Sequence, residues 1–144
     1  GDITSAREMI EAVRSVCEKK ALLKVIIESG ELSAPELIES ASRMAIDAGA
    51  DFIKTSTGKV PVNATLETAE IMVQAIADSG KNVGFKPAGG IKSVDDCAAY
   101  LAIADRIMGP QWATSESFRF GASSVLDNLL ATLDGREETS AEGY

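Results

Sequence analysis

The chain has 144 residues, the size of one ordinary domain, and 45% of them are apolar, enough to build a core. Fourteen Lys and Arg against 22 Asp and Glu leave a net charge of −8. That balance argues against nucleic acid as a broad partner, though local positive charge could still hold a small anion. There is no histidine, which excludes a histidine general base and disfavours a conventional zinc site.

Cys17 and Cys97 both fall in helical patterns, so reduced thiols of a cytoplasmic protein are expected rather than a disulfide. No apolar run approaches the roughly 18 residues of a membrane span, and no signal peptide is visible. Neither a membrane nor a nucleic acid is expected as a partner.

Taken in order, Ser5 and Glu8 have capping-box spacing ahead of Met9, Ile10, Val13, Val16 and Cys17, which recur at helical period, and Lys19 and Lys20 suit the helix's negative end. Leu22 to Ile27 reads as a buried strand with Lys24 inside it, broken by Gly30. Ser33 with Glu36 forms a second capping box, Pro35 sits in the first turn, and Leu37, Ile38, Ala41, Met44 and Ala45 make the apolar stripe. A second strand is expected at about Asp51 to Thr57. Thr65 caps the helix of Ile71, Met72, Ala75 and Ile76, which stops at Gly80. Val83 to Pro87 is a third short strand. Ser93 and Asp96 start the helix of Val94, Cys97, Leu101 and Ala102, with a short extra strand expected over Arg106 to Gly109. A fourth main strand is expected around Phe118 to Gly121, and Ser123 and Ser124 open a last helix through Leu126, Leu129, Leu130 and Leu133, ended by Gly135. Residues 136–144 read as a flexible polar tail ending in Tyr144.

Strands and helices alternate, and the interior lysines Lys24, Lys54 and Lys86 recur at spacings of 30 and 32 residues. Repeated βα units of that size predict an α/β fold with a parallel sheet. No GxGxxG fingerprint follows a strand, so a dinucleotide fold has little support. A (β/α)₈ barrel takes about 250 residues; the four parallel strands expected over residues 1–135 make half of one. Such a half leaves open edges and an uncovered inner face, which predicts a homo-oligomer or a docked missing half. The competing architecture is a doubly wound sheet with helices on both faces, under which inward lysines would be buried.

Phe52, Lys54 and Ser56 share one strand face, while Ile53 and Thr55 share the other. Lys24 and Lys86 occupy equivalent places on the neighbouring strands, about 4.8 Å from strand to strand. Like charges at that spacing, together with burial, disfavour protonation. A neutral amine is what attack on a carbonyl requires. The plainer reading is that these lysines snorkel or pair with an acid such as Glu28; three on consecutive strands favour chemistry. Gly58-Lys59, Ala88-Gly89-Gly90 and Gly121-Ala122-Ser123-Ser124 each follow a strand. Glycine admits close backbone approach to an anion, and Ser124 would open a helix whose N-terminus favours phosphate. Any one of these is an ordinary turn; three at one end of a sheet point to a phosphate site.

Lys24 in LLKVIIESGEL, Lys54 in ADFIKTSTGKVPVNAT, Lys86 in VGFKPAGGI and the closing RFGASS resemble the deoxyribose-phosphate aldolases, class I aldolases, over almost the whole chain and as the C-terminal half of that barrel. The resemblance implies that Lys54 forms a Schiff base, and that Lys86 disfavours protonation of that amine and assists proton transfer. It implies that Lys24, Gly58, Lys59, Gly89, Gly90, Gly121, Ser123 and Ser124 surround the substrate and its phosphate, and that Tyr144 aids proton transfer at the donor methyl group. The partners implied are a small phosphorylated sugar and an aldehyde, with no cofactor. The family's first four strands and the catalytic aspartate they supply have no counterpart here, so a truncated chain is expected. A transaldolase-like lysine aldolase is a more distant reading. The alternative from a different class is a non-catalytic half-barrel that binds phosphate or self-assembles.

Overall fold

A computed structural model describes residues 2–18 and 20–137. Helix α1 (Ile3–Cys17) leads to strand β1 (Lys24–Ile26), a four-residue helix α2 (Ser29–Leu32) and helix α3 (Pro35–Asp47). Strand β2 (Phe52–Lys54), helix α4 (Leu66–Ser79), strand β3 (Gly84–Lys86), helix α5 (Val94–Met108) and helix α6 (Val125–Leu133) follow. The strands pair in parallel in the order β1-β2-β3. The helices pack in chain order against one another, α1 on α3, α3 on α4, α4 on α5 and α5 on α6. This is one helical layer on one sheet face, the architecture of a partial barrel, and not the doubly wound alternative.

The alternation of side chains divides the sheet. Ile53 and Phe85 point to the helices and join Ile46, Met72, Ile76 and Ile103 in the core. Fully burying an Ile, Met or Phe, as at Ile53, Phe85, Met72 and Ile76, contributes about 1.5–3 kcal/mol each. Phe52 is equally buried but lies outside that core cluster, on the opposite face with Lys54.

Where a local signal is complete, the structure follows it. Thr65 and Ser93 each cap a helix through reciprocal bonds with Thr68 and Asp96. Elsewhere it departs. Asp2, not Ser5, caps α1: its carboxylate accepts from the Ser5 N–H at 3.0 Å and from Ser5 Oγ at 2.6 Å. Ser33 does not cap α3, because its Oγ donates to the Gly30 carbonyl; Ala34 takes the cap position and Pro35 the first turn. Gly30 does not break the chain into a loop but sits within α2. Glu18 closes α1 in the left-handed conformation, and Lys20 pairs with it at 2.7 Å; Lys19 lies outside the described residues.

Strand β1 is shorter and less buried than expected, with Leu22 63% and Ile26 41% exposed, because only β2 flanks it. Arg106 to Gly109 is no strand: apolar spacing through Ile103, Ala104, Ile107 and Met108 carries α5 on to Gly109, which ends it at φ 93°. The fourth strand is reduced to two parallel bridges, Phe85 with Phe118 and Ala88 with Gly121. Pro87, which has no N–H to donate, stands between them and interrupts the ladder. The segment still lies along β3, held by Phe85 N–H to Ser117 O at 2.8 Å, Arg119 N–H to Phe85 O at 3.1 Å and Gly121 N–H to Pro87 O at 2.8 Å. Among the described residues no helix is long and apolar enough to cross a membrane.

Candidate active site

Lys54 ends β2, and its register places it between Ile26 of β1 and Lys86 of β3; one layer below, Phe52 lies between Lys24 and Gly84. Lys54 O accepts the Ile27 N–H at 2.9 Å, and Lys86 O accepts the Thr55 N–H at 3.2 Å, so the two lysines are locked on adjacent strands. Parallel neighbours stand about 4.8 Å apart. None of Lys24, Lys54 and Lys86 has a carboxylate within ion-pair distance among the described residues. Glu28 is not their partner: both its carboxylate oxygens accept from the Thr57 N–H, at 3.1 and 3.2 Å.

The consequence is electrostatic. Burial first, then the Arg119 guanidinium and the Lys54 ammonium, push Lys24 below the ordinary lysine range. Burial first, then Lys24, Lys54 and Arg119, do the same to Lys86. Arg119 escaped the sequence reading although it belongs to the RFGASS segment. Its spacing of two from Gly121 is the signal that puts both on the inward face.

Above the lysines lies a cleft of about 240 Å³ whose lining is Lys54, Thr57, Gly58, Lys59, Ala88, Gly89, Gly121, Ala122 and Ser123. Three loops build it, and side-chain hydroxyls tie them. Ala88 N–H donates to Thr55 Oγ1 at 3.0 Å, and Ser56 Oγ donates to Ala88 O at 2.5 Å. Gly58 and Gly89 both have φ of 85°, the left-handed region that glycine tolerates best. At Gly89 a Cβ would also come 2.6 Å from the Asn63 Cβ. Gly121 serves clearance instead: a Cβ there would stand 2.6 Å from Ala88 Cβ and 3.0 Å from Lys86 Cε. Its N–H and that of Gly89 are taken by Pro87 O and Gly121 O, so neither is open to an anion. Among the described residues, the N-terminus of α6 has no side-chain cap and the buried Ser124 Oγ beside it has no partner.

The structure thus gathers Lys54, Gly58, Lys59, Gly89, Gly121 and Ser123 around one cleft. Lys86 adjoins Lys54 and Gly121, Ser124 lies behind Ser123 at the helix N-terminus, and Lys24 sits one layer lower. Gly90 is exposed and outside the lining. Thr57 was not anticipated. Tyr144 lies outside the described residues. A wider cleft between α3 and α4, about 390 Å³, carries Glu39, Glu67 and Glu70 but none of the lysines.

Comparison with known proteins agrees with the partial-barrel fold. The sequence model of the DeoC/LacD family aldolases matches residues 2–131. A curated deoxyribose-phosphate aldolase of Agrobacterium fabrum is 59% identical over 145 residues, covering all of this chain and 56% of that protein. A candidate deoxyribose-phosphate aldolase from Coccidioides immitis matches in structure with TM-score 0.74 and 31% identity, over 92% of this chain and 47% of its own. A tetrameric deoxyribose phosphate aldolase from Aeropyrum pernix shares the fold at TM-score 0.68 and 21% identity, over 88% and 48%. The chain spans about half the length of these relatives. It belongs to the DeoC/LacD family of aldolases.

Proposed function

We propose that this chain carries the Schiff-base part of a deoxyribose-phosphate aldolase site, in a protein that reversibly cleaves 2-deoxyribose 5-phosphate to acetaldehyde and glyceraldehyde 3-phosphate. The observation that carries the reading is Lys54, without an ion pair among the described residues and lining the loop cleft, with Lys86 in register beside it. Lys54 Nζ attacks the substrate carbonyl carbon, and the carbinolamine loses water to an iminium. The hydroxyl on the departing carbon gives up its proton as the iminium accepts the electron pair of the breaking carbon–carbon bond, which releases glyceraldehyde 3-phosphate and leaves an enamine. Protonation of the enamine carbon and hydrolysis then release acetaldehyde and restore the amine. Lys86, pushed toward its neutral form, is suited to relay protons beside that nitrogen. Gly58, Lys59 and Ser123 line the part of the cleft where a phosphate would lie, next to the uncapped N-terminus of α6. Tyr144 is assigned to proton transfer at the donor methyl group on resemblance alone. Cys17 and Cys97 are not joined in a disulfide, which fits a cytoplasmic location.

A second reading is a non-catalytic assembly unit, favoured by the open β1 edge with Leu22 and Ile26 exposed. The tetrameric relative from Aeropyrum pernix supports oligomerisation as such. Borohydride trapping with acetaldehyde separates the two. An ethyl group mapped to Lys54, and lost in Lys54→Met, supports the aldolase. Self-association with no adduct supports the assembly unit.

A further inference from the structure

Phe52 is 2% exposed, yet it lies on the face away from the helices. Its ring has room only because residue 84 is glycine: a Cβ there would come 2.3 Å from Phe52 Cε1 and 2.5 Å from Cζ. Gly84 has no positive φ to explain it, so the clearance is the reason for glycine. Two cations lie against the ring, the Arg119 guanidinium carbon at 4.6 Å and Lys24 Nζ at 5.5 Å from its centroid. Both distances are within cation–π range. Arg119 is held from two further sides, by its own N–H on Phe85 O and by Nε donating to Ser115 O at 3.1 Å.

We propose that Arg119, seated on the Phe52 ring that Lys24 also meets, is a positioning residue of the lysine face: it fixes a permanent positive charge against that face, nearest to Lys24. The proposal deepens the aldolase reading and rests on it for its catalytic meaning, but not for its charge effect. The groups facing Arg119 can be named by element. Lys24 comes from β1, Lys54 from β2 and Lys86 from β3, each an amine and none a carboxylate. Below the ring, Asp51 and Glu116 share a cavity of about 440 Å³ with Arg119. Asp51 is taken by Arg14 Nη1 at 2.6 Å and by the Leu23 N–H at 2.7 Å, and neither acid pairs with Arg119 among the described residues. The guanidinium charge is therefore not cancelled locally. The direction at both lysines agrees, with Arg119 the leading charge on Lys24 and the last of three on Lys86. A lysine in place of Arg119 would not do the same work, because it could itself lose its proton.

The test is a pulse of acetic anhydride across a neutral-to-alkaline pH series, with the labelling of each lysine read by peptide mass spectrometry. The exposed Lys20 serves as the reference. In Arg119→Gln, Lys24 labelling at neutral pH should fall roughly threefold relative to Lys20, as expected for losing one screened charge at this range. Lys86 should fall less. Lys24 labelling unchanged relative to Lys20, or a larger loss at Lys86 than at Lys24, overturns the proposal. If the glutamine variant shows no cooperative melt, Phe52→Leu takes its place. It unseats the guanidinium, and an unaltered Lys24 profile there is equally fatal. Acetylation requires no aldehyde. A missing Lys54 adduct would thus refute the aldolase reading while leaving this result standing.

Discussion

Lys54 and Lys86 are direct cross-strand neighbours, joined in register by the parallel pairing of β2 and β3, and neither has an ion-pair partner among the described residues. Held beside Lys54, Lys86 carries a charge penalty that pH can release.

Lys24 and Lys86 lie below their ordinary value of 10.5 in the folded chain and return to it on unfolding. Between the folded and unfolded values the unfolded state binds more protons, so stability rises with pH across that window and the penalty is fully present below it. Lys86→Met is expected to raise the melting temperature at neutral pH and to flatten its rise toward the alkaline side. Calorimetry over a pH series reads this. A variant less stable at neutral pH and equally steep would refute it.

Tyr100 carries the opposite sign. Burial, with Asp96 as a lesser cause, pushes its hydroxyl from 10.0 up to about 12. A raised folded value gives stability that is complete below pH 10.0 and is lost as pH climbs toward 12. Tyr100→Phe should therefore resist alkaline unfolding better than the parent while behaving alike near neutrality. Identical alkaline midpoints by circular dichroism would show that the hydroxyl is not the group responsible.

Gly121→Ala places a methyl 2.6 Å from Ala88 Cβ and 3.0 Å from Lys86 Cε. Overpacking of this kind costs about 1–3 kcal/mol, and the movable neighbour is the lysine stem. Chemical denaturation should report that loss, and trapping at Lys54 should slow with it. Gly90→Ala is the contrasting variant, for its Cβ meets nothing within 4 Å, although φ of 82° strains it. A Gly121 variant that keeps full stability and full trapping would remove the clearance role.

The β1 edge predicts association. Ile26 and Leu22 are exposed beside unpaired backbone, and α6 presents Leu126, Leu130 and Leu133 at helical spacing on its outer side, 65%, 48% and 82% exposed. The chain in isolation is expected to self-associate, and Ile26→Lys with Leu130→Glu should shift it toward monomer in light scattering. A compact monomer of the unaltered chain would contradict the open-edge argument.

What the sequence determined alone is what depends on near neighbours. The caps at Thr65 and Ser93 and the stripes of α3, α4 and α5 were legible because their partners stand three or four residues away. So was the inward placement of Lys24, Lys54 and Lys86, because strand alternation is a local rule. The long motifs around those lysines carried the family as well. The tertiary structure alone decided what depends on chain segments far apart. Pro87 cuts the fourth strand to two bridges only because Phe118 to Gly121 is brought against β3. Glu28 turns from the lysines because the Thr57 N–H comes within reach. Arg119 meets Phe52 across 67 positions of sequence, over a glycine whose reason is the ring above it. No periodicity encodes such a contact, since it exists only once the register of β2, β3 and the following segment has been set by hydrogen bonds between them.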